Sequence, residues 1–316
     1  MVSGMENSEI NKIRQQFLFE CGSSTVAMET ESANSQHYEL PTMFYENILG
    51  RKMKYSGSAW DSNEMEIDDA DDQTLNSYME RAGIDGSSNI LELGAGWGSL
   101  SLTMAERYPG ATITALTNSS IQADYIELKA KLRGLGNINV VKGDVQEYSP
   151  HDFFDRVVSI EMFEHMRNPG ILMDRVYDWL NPKGKLFIQV FSHKSYPQFF
   201  DNFESSWMSR NFFSGGLMPY DGFYNEVSQK LKLEYLWREP GTSYHQTLEA
   251  WLCNFDRKRK NILSALENRN VVLNSKHFYN QYRFFLLFCS ELFKFNQGND
   301  WYVINYLFAK PPDKAG

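Results

Sequence analysis

Three glycines at alternate positions, Gly94, Gly96 and Gly98, follow a short apolar run at residues 90–93 and precede a stretch with helix-like apolar spacing. A strand, a tight glycine turn and a helix start together form a typical nucleotide site. Glycines let backbone N–H groups approach a ligand, and the helix N-terminus faces it. The stretch therefore predicts a nucleotide-type ligand. A turn that binds nothing is the alternative, since short glycine patterns also match by chance.

The spacing of the glycines argues against a dinucleotide. The dinucleotide pattern G-x-G-x-x-G needs its third glycine one position later, where Ser99 stands, and an acidic residue about 20 residues on for the ribose. The next predicted strand ends in Ala115, Leu116 and Thr117, without an acidic residue. A dinucleotide-dependent oxidoreductase is therefore disfavoured.

Polar residues follow four successive predicted strands at the point where each strand ends. The glycine turn follows the first strand, Thr117 and Asn118 follow the second, Asp144 follows the third, and the segment Glu-Met-Phe-Glu-His at 161–165 follows the fourth. In an open α/β sheet, ligands bind at the carboxyl ends of the strands. Any one of these residues could be a turn former or a helix cap, but together they predict a shared cleft.

The elements that must position these residues alternate between strand and helix. Strands are predicted over 89–93, 111–116, 138–141, 155–160 and 185–191, with helices reaching 108 and covering 121–132 and 170–180. This alternation predicts an α/β fold with a parallel sheet and helices on both faces. From residue 192 the alternation fails. An aromatic- and glycine-rich stretch at 197–227 predicts a cap, followed by a strand at 233–237, helices at 246–266 and 278–293, and a last strand at 302–308.

Two segments precede the predicted sheet. Residues 10–19 are weakly amphipathic and predict either a mobile arm or a docked helix. The acidic run at 64–72 predicts the start of a helix that continues to Arg81, because acidic residues suit a first helical turn. Its charges are expected to lie on a solvated face.

Composition and charge narrow the class of protein. The chain has 316 residues, 42% of them hydrophobic, and a formal net charge of −9. This suits a globular protein and argues against a nucleic-acid surface, which would need basic patches. Three widely spaced cysteines predict a reducing compartment and no metal site. With neither a visible secretory signal nor an apolar run of membrane-span length, a cytoplasmic protein without stable membrane insertion is expected.

Several motifs resemble those of a known family. Glu92 and the three glycines read E-x-G-x-G-x-G, which resembles motif I of S-adenosylmethionine-dependent methyltransferases. Residues 36–41, the Tyr55-Ser56 pair, 118–122, the EMFEH segment at 161–165 and the FFSGGLMP segment at 212–219 extend the likeness. From about residue 36 to the last strand, the chain resembles the coclaurine N-methyltransferase branch of the cyclopropane-fatty-acid-synthase-like methyltransferases.

The resemblance implies a fold and a division of the chain. The fold is a class I methyltransferase Rossmann-like sheet with helices on both faces, a helical N-terminal arm and an aromatic-rich cap insertion after the fifth strand. The implied parts are an arm and cofactor lid at 1–60, a cofactor-binding core at 61–195, the cap at 196–230, and a C-terminal part at 231–316 that completes the sheet and carries substrate-pocket helices.

The resemblance also implies S-adenosylmethionine as the cofactor and S-adenosylhomocysteine as its product. Tyr55 and Ser56 would close over the methionine part of the cofactor, whose carboxylate side would face the glycine turn. Asn118 and Gln122 would hold the ribose. The full set of implied cofactor-binding residues is Tyr55, Ser56, Glu92, Gly94, Gly96, Thr117, Asn118, Gln122, Asp144, Val145 and Ile160.

On the acceptor side, the resemblance implies that Glu161, Glu164 and His165 are catalytic. Glu161 would attract a protonated amine, and His165, aided by Glu164, would remove its proton, because histidine titrates near neutral pH. The implied substrate pocket contains Phe163, Trp207, Phe213, His245, Tyr282 and Phe285. Structural roles are the alternatives: a helix cap for Glu164 and His165, a core stripe for Tyr282 and Phe285, and a surface turn for His245.

Two branches of the family must be separated. Cyclopropane synthases hold a bicarbonate with a cysteine, a histidine and a glutamate. Here Gly57 and Gln189 stand at the first two places, and Glu164 stands at the third. This favours N-methylation of a small-molecule amine over a lipid-modifying synthase, with a catalytically silent cofactor-binding module as a further alternative. A homodimer is a partner prediction that the sequence leaves open.

Overall fold

A mixed sheet forms the centre of the structure. The computed structural model describes residues 7–26, 40–200, 215–267, 272 and 274–312. The sheet strands are β1 (Asn89–Leu93), β2 (Thr112–Thr117), β3 (Ile138–Lys142), β4 (Phe154–Ile160), β5 (Leu180–His193), β8 (Lys232–Glu239) and β9 (Trp301–Ala309). A separate pair consists of β6 (Gln198–Phe199) and β7 (Leu217–Met218). The seven-stranded sheet has the order β3-β2-β1-β4-β5-β9-β8.

The pairing of β1 to β5 confirms the predicted parallel sheet, and the last strand adds an antiparallel member that the alternation did not predict. β1 to β5 pair in parallel, but β9 runs antiparallel to both β5 and β8. Trp301, the first residue of β9, pairs with His193 at the carboxyl end of β5, so the chain enters the sheet from that edge and runs back across it. Strand–helix alternation predicts parallel neighbours only while each connection returns to the amino edge of the sheet.

The helices cover both faces of the sheet. They are α1 (Asn7–Gly22), α2 (Thr42–Ile48), α3 (Ile67–Ala82), α4 (Ser99–Arg107), α5 (Ser120–Arg133), α6 (Pro169–Trp179), α7 (Phe223–Val227), α8 (Gly241–Arg257), α9 (Arg259–Glu267) and α10 (Ser275–Lys294). One apolar cluster includes residues from α1, α6 and α7, and another includes residues from α3 and α4. In the described parts of the chain, none of these helices has the length and apolar character of a membrane span.

Side chains and glycines set several helix boundaries. Ser119 and Asn168 accept hydrogen bonds from N–H groups in the first turns of α5 and α6, which satisfies donors that have no partner inside a helix. Gly134 ends α5 with φ 68°, a conformation that glycine adopts without strain. The predicted helix at 246–266 is in fact two helices that meet at Lys258, and the break allows Ile262 to bury in the same apolar cluster as residues of α2.

The predicted turn after α6 lies inside β5. The predicted helix at 170–180 and the predicted strand at 185–191 leave residues 181–184 as a turn between them, but β5 begins at Leu180 and its register with β4 shifts between Phe154 and Arg156. Lys183 has φ 66° at this irregularity. The turn residues therefore make a bulge in the strand.

The N-terminal segment docks as a helix. Phe17 of α1 is 4% exposed, and its ring stacks on Phe199 at 4.4 Å and meets the edge of Phe223 at 5.2 Å. Arg14 Nε donates to Ser195 O at 2.9 Å, and the guanidinium lies over the ring of Tyr220. Of the two predicted states for residues 10–19, the docked helix is the one observed.

The acidic run at 64–72 is not a solvated face throughout. Asp71 is 0% exposed, and its Oδ1 accepts a hydrogen bond from Ser58 Oγ at 2.6 Å. Asp68 Oδ1 accepts from Arg51 N–H, and Thr74 Oγ1 accepts from the N–H of residue 59. The first turns of α3 thus hold residues 51–59, called the 51–59 loop below. The prediction failed because neighbouring segments, rather than composition, decide which acidic side chains are covered.

We predict that Phe17→Ala undocks α1. Truncating a buried phenylalanine to alanine costs about 3–5 kcal/mol, and here the loss falls on a helix at the edge of the fold. Amide hydrogen exchange over residues 7–22 should accelerate by roughly two orders of magnitude, since each 1.4 kcal/mol is about tenfold.

Phe19→Ala provides the matched control, because Phe19 lies on the same helix and is 70% exposed. In this variant, amide hydrogen exchange over residues 7–22 should stay near the rate in the unmodified chain. Equal protection in the two variants would show that α1 is not held by Phe17.

Candidate functional site

A cleft opens at the carboxyl edge of β1, β2, β3 and β4, with a cavity volume of about 130 Å³. Every residue predicted to bind the cofactor lines it: Tyr55, Ser56, Glu92, Gly94, Gly96, Thr117, Asn118, Gln122, Asp144, Val145 and Ile160. Glu161 and His165 line it as well. The shared-cleft prediction therefore holds for residues from all four strand ends.

The lining also contains residues that were not predicted from the sequence: Met53, Ala95, Trp97, Ser99, Leu116, Gly143, Met162 and Met166. Most are direct neighbours of predicted residues, so proximity to the motifs is the signal that would have found them. Trp97, within the glycine turn, is 2% exposed and packs at 5.0 Å on the ring of Tyr45. Met53 is not adjacent to a predicted residue, and it lines the cleft because the 51–59 loop places it there.

The glycine turn is built from left-handed backbone. Gly94 and Gly96 have φ values of 74° and 54°, which side-chain-bearing residues rarely adopt. The N–H groups of Gly94 and Ala95 both donate to Leu116 O, which fixes the turn against β2. A Cβ on Gly94 would come within 2.7 Å of the Met162 side chain, whereas a Cβ on Gly96 would have nothing within 4 Å. Gly96 thus leaves open space at this point of the cleft wall.

A buried carboxyl lies directly before the turn. Glu92 is 2% exposed, and its Oε2 accepts a hydrogen bond from Ser101 Oγ on α4. Burial raises the pKa of Glu92 from 4.5 to about 8, although the hydrogen bond from Ser101 opposes this. A cationic group bound in the cleft would favour the ionised carboxylate.

An unpartnered donor lies at the end of β2. Gln122 is 3% exposed, and its Oε1 accepts from Thr117 Oγ1 at 2.7 Å. Its Nε2 is buried and has no hydrogen-bond partner among the described residues. Because buried polar groups rarely stay unpaired, this N–H group suits an acceptor on a ligand. Asp144 combines both predicted roles, since Oδ1 accepts from Gln146 N–H in a turn while the residue lines the cleft.

Glu161 is held by three donors from separate parts of the chain. Its Oε1 accepts from Gly57 N–H and Gln189 Nε2, both at 2.9 Å, and its Oε2 accepts from Tyr244 OH at 2.7 Å. Its φ is 47°, an uncommon value for a residue with a side chain. Burial raises its pKa above 4.5, while Tyr244 and Lys54 act in the opposite direction. The sequence did not reveal Tyr244, which carries no local pattern.

The other two residues predicted to be catalytic, His165 and Glu164, lie in different surroundings. His165 lines the cleft at the end of a short 3₁₀ turn, Phe163–His165. Glu164 is 1% exposed, and its Oε1 accepts from Phe191 N–H at 2.7 Å. Burial, reinforced by the nearby Glu161, raises the pKa of Glu164 well above its usual value. Glu164 is not among the described residues that line the cleft, so it supports the turn from behind.

The predicted substrate-pocket residues have different surroundings. Phe163 is 0% exposed in the apolar core, with its ring edge on Tyr224. Tyr282 is also fully buried, and its hydroxyl lies 2.8 Å from that of Tyr55, in a hydrogen bond behind the cleft wall. Phe285 contacts the Tyr282 ring.

The other three predicted substrate-pocket residues are His245, Trp207 and Phe213. The ring atom Nδ1 of His245 forms a hydrogen bond with Ser290 Oγ at 2.7 Å, between α8 and α10. Trp207 and Phe213 lie outside the residues that the structure describes. A substrate-pocket role for all six residues stays a prediction.

Comparisons with known proteins show the family and the fold of the chain. A model of the mycolic acid cyclopropane synthetase family matches residues 26–302. The (S)-tetrahydroprotoberberine N-methyltransferase of Eschscholzia californica is 32% identical over 293 residues, covering 89% of this chain and 82% of that protein. A coclaurine N-methyltransferase structure, bound to N-methylheliamine and S-adenosylhomocysteine, aligns with a TM-score of 0.92 at 27% identity, over 96% of this chain and 89% of that one.

A cyclopropane synthase shares the fold at greater distance. MmaA2 from Mycobacterium tuberculosis aligns with a TM-score of 0.77 at 20% identity, covering 91% of this chain and 100% of that one. This likeness confirms the predicted class of fold.

We predict that Gly96→Ala weakens binding of S-adenosylhomocysteine. The added Cβ occupies open space in the cleft wall, and φ 54° adds strain of roughly 1–2 kcal/mol. The dissociation constant, measured by calorimetry, should rise at least about tenfold.

Gly134→Ala is the matched control. Gly134 also has a left-handed φ, 68°, and nothing within 4 Å of its added Cβ, but it ends α5 on the exposed surface. This variant should lose similar stability and bind S-adenosylhomocysteine normally. Equal affinities for the two variants would show that the glycine turn does not contact the cofactor.

Proposed function

Since the chain belongs to the mycolic acid cyclopropane synthetase family, we propose that it is an S-adenosylmethionine-dependent methyltransferase whose acceptor is the nitrogen of a small amine. The observation that carries the proposal is the carboxylate of Glu161 in the cleft wall. Its negative charge suits a cationic acceptor.

The cleft fits the cofactor. The unpartnered Nε2 of Gln122 and the exposed Asn118 suit hydroxyl groups of the ribose. The open space at Gly96 suits close approach of the amino-acid part, beside Tyr55 and Ser56. When bound, S-adenosylmethionine supplies a methyl group on a positively charged sulfur. The chain's own residues must then deliver a neutral amine to that methyl group.

Glu161 and His165 divide that task. Most alkylamines are protonated near neutral pH, and a protonated nitrogen has no lone pair for attack. Glu161 attracts the ammonium, and the hydrogen bonds from Gly57, Gln189 and Tyr244 fix the direction of its carboxylate. His165, in the same cleft wall, takes the proton as a general base. Glu164 keeps the turn that carries His165 in place through its bond to Phe191 N–H.

The same carboxylate disfavours a cyclopropane synthase. The residues at the two places where those enzymes have a cysteine and a histidine, Gly57 and Gln189, both donate to Glu161 Oε1. A bicarbonate at this point would lack the cysteine and the histidine, and it would lie beside the carboxylate of Glu161 in addition to that of Glu164. Two like charges 4 Å apart near a protein surface repel by about 4 kcal/mol. An ammonium would instead be attracted by a comparable amount.

A catalytically silent module is disfavoured for a related reason. A protein that only bound the cofactor would have no need of a strained, hydrogen-bonded carboxylate beside a histidine. Residues in uncommon backbone conformations persist where the surroundings enforce them, and they cluster at active sites. The predicted homodimer and cytoplasmic location stay predictions from the sequence.

The direct assay uses S-adenosylmethionine labelled in its methyl group. The protein is incubated separately with a panel of alkylamines and with vesicles of unsaturated phospholipid, and products are identified by mass. We expect label in the amines. Label in the lipids alone would favour the synthase, and label in neither with normal cofactor binding would favour the silent module.

We predict that Glu161→Gln lowers kcat/KM for the amine by roughly 10²-fold, because losing the charge removes an interaction with the ammonium. The amide oxygen can still accept from Gly57 and Gln189, and the Tyr244 hydroxyl can turn to accept from the new NH₂ group, so the fold should persist.

The pH profile tests the same group. The ionised carboxylate is the active form, and burial raises its pKa above 4.5. Activity should therefore fall as the pH drops through that raised pKa. Glu161→Gln should remove this component of the acid limb and leave only the component that the general base contributes. S-adenosylhomocysteine affinity is the control and should stay unchanged. An acid limb identical in both proteins would contradict the role of Glu161.

We predict that His165→Ala lowers turnover by about 10²–10⁴-fold at neutral pH, the usual worth of a general base. The deficit should shrink as the pH rises past the pKa of the amine, since the free amine then needs no base. It is measured at saturating S-adenosylmethionine from pH 6.5 to about 10. A deficit that stays constant over this range would mean that His165 positions the substrate instead.

A further inference from the structure

Lys54 is a buried lysine whose hydrogen bonds, within the part of the chain that the structure describes, all go to the 51–59 loop. It is 1% exposed. Its Nζ donates to Ser56 O at 3.1 Å, to Ser56 Oγ at 2.9 Å and to Gly57 O at 2.6 Å. An ammonium has three protons, and these acceptors use all of them. The side chain therefore closes a tight ring with the two residues that follow Tyr55.

Titratable groups from two elements face this ammonium. Asp71 and Tyr78 approach it from α3, with Nζ 5.5 Å from the centre of the Tyr78 ring, and Glu161 approaches it from the end of β4. Asp71 is 0% exposed, and its Oδ2 has no hydrogen-bond partner among the described residues. The buried cation thus lies near two carboxyl groups, of which Asp71 is fully buried and Glu161 lines the cleft.

We propose that Lys54 is a positioning residue for the cofactor, and that its ammonium shapes residues 55–57 so that Tyr55 and Ser56 line the cleft while Gly57 N–H points at Glu161. The first half concerns cofactor binding alone. The second half rests on the proposed amine methylation, because there Glu161 faces the acceptor.

The backbone geometry explains why a cation is needed. The carbonyl oxygens of Ser56 and Gly57 both point at the same small volume, where their partial charges repel. Buried carbonyl groups need a donor, and charge-assisted bonds are the stronger kind. With the ammonium removed, the loop should relax, and relaxation carries Ser56 out of the cleft wall and the Gly57 N–H away from Glu161.

The loop also connects the two halves of the site. Tyr55 forms a hydrogen bond with Tyr282 on α10. Ser58 donates a hydrogen bond to Asp71 on α3, and Gly57 N–H donates one to Glu161. Lys54 lies inside the turn that spaces these bonds. A change in the turn therefore reaches the cofactor side and the acceptor side together.

The first test is Lys54→Met, which keeps the length of the side chain and removes the charge. The dissociation constant of S-adenosylhomocysteine, measured by calorimetry, should rise roughly 10–100-fold, and KM for S-adenosylmethionine should rise with it. Lys52→Met is the matched control. Lys52 lies in the same loop and is partly exposed, but its Nζ pairs with Asp72 at 3.6 Å and has no bond to residues 55–57 among those described. It should bind S-adenosylhomocysteine normally.

A double variant separates positioning from charge balance. Lys54→Met leaves Asp71 buried without a cation, which destabilises the fold whatever the loop does. Asp71→Asn removes that charge, and the amide oxygen can still accept from Ser58 Oγ. In Lys54→Met with Asp71→Asn, thermal stability should recover while S-adenosylhomocysteine affinity stays weak. This variant also carries the test if Lys54→Met alone does not fold.

The pH dependence gives a second readout, with opposite signs for binding and stability. Burial lowers the pKa of Lys54 from 10.5 to about 8, although Asp71 and Glu161 oppose the shift. Wild-type affinity for S-adenosylhomocysteine should fall as the pH rises through about 8, because the ammonium is lost. The contribution of Lys54 to the free energy of unfolding should rise between pH 8 and 10.5, because the folded state favours the neutral amine and the unfolded state still binds the proton. The double variant should lack the fall in affinity.

Recovered affinity in the double variant, or normal affinity in Lys54→Met, would overturn the proposal. The binding measurements need no acceptor, so they are independent of the amine. If no amine is methylated but Lys54→Met still weakens S-adenosylhomocysteine, the proposed function fails and the role of Lys54 in cofactor binding stands.

Discussion

The carboxylate of Glu161 is the interaction on which the rest of the site depends. A side-chain-bearing residue at φ 47° costs about 1–3 kcal/mol, and it persists only where its surroundings enforce it. Here the enforcement comes from Gly57 in the 51–59 loop, Gln189 in β5 and Tyr244 in α8. Since each donor belongs to a different element, none of these elements can shift far without breaking a bond to a partly buried carboxylate.

The return of β9 through the sheet makes this arrangement feasible. β9 inserts between β5 and β8 and pairs along its whole length with β5, including Gln189 opposite Asn305. The chain reaches β9 through α8, α9 and α10, and this path leaves α8 and α10 at the carboxyl edge of the sheet. Tyr244 of α8 can then reach Glu161, and Tyr282 of α10 can reach Tyr55. The second half of the chain thus holds two side chains of a cleft that residues 53–166 line.

Three charged side chains near the 51–59 loop lose hydration when the chain folds, and they also make the loop rigid. Asp71, Lys54 and Glu161 lie close together, and any one of them alone would be expensive to remove from water. Together they compensate one another, and each also has hydrogen bonds from or to the 51–59 loop. The loop that contributes Tyr55 and Ser56 to the cleft is consequently fixed at several points by polar contacts as well as by apolar packing.

The sequence by itself determined the glycine turn, the strand–helix alternation and the polar residues at the strand ends, such as Asn118 and Asp144. These are local features, because backbone periodicity and turn chemistry act over a few residues, and parallel strands then bring their ends to one edge. The family motifs further identified the chemistry of the cofactor. Only the tertiary structure decided that the last strand runs antiparallel, that Phe163 lies in the core, and that Tyr244 and Lys54 serve Glu161 and the loop. Those outcomes depend on contacts between residues that are far apart in the chain, such as Tyr244 and Glu161, and no local pattern of residue types encodes such pairs.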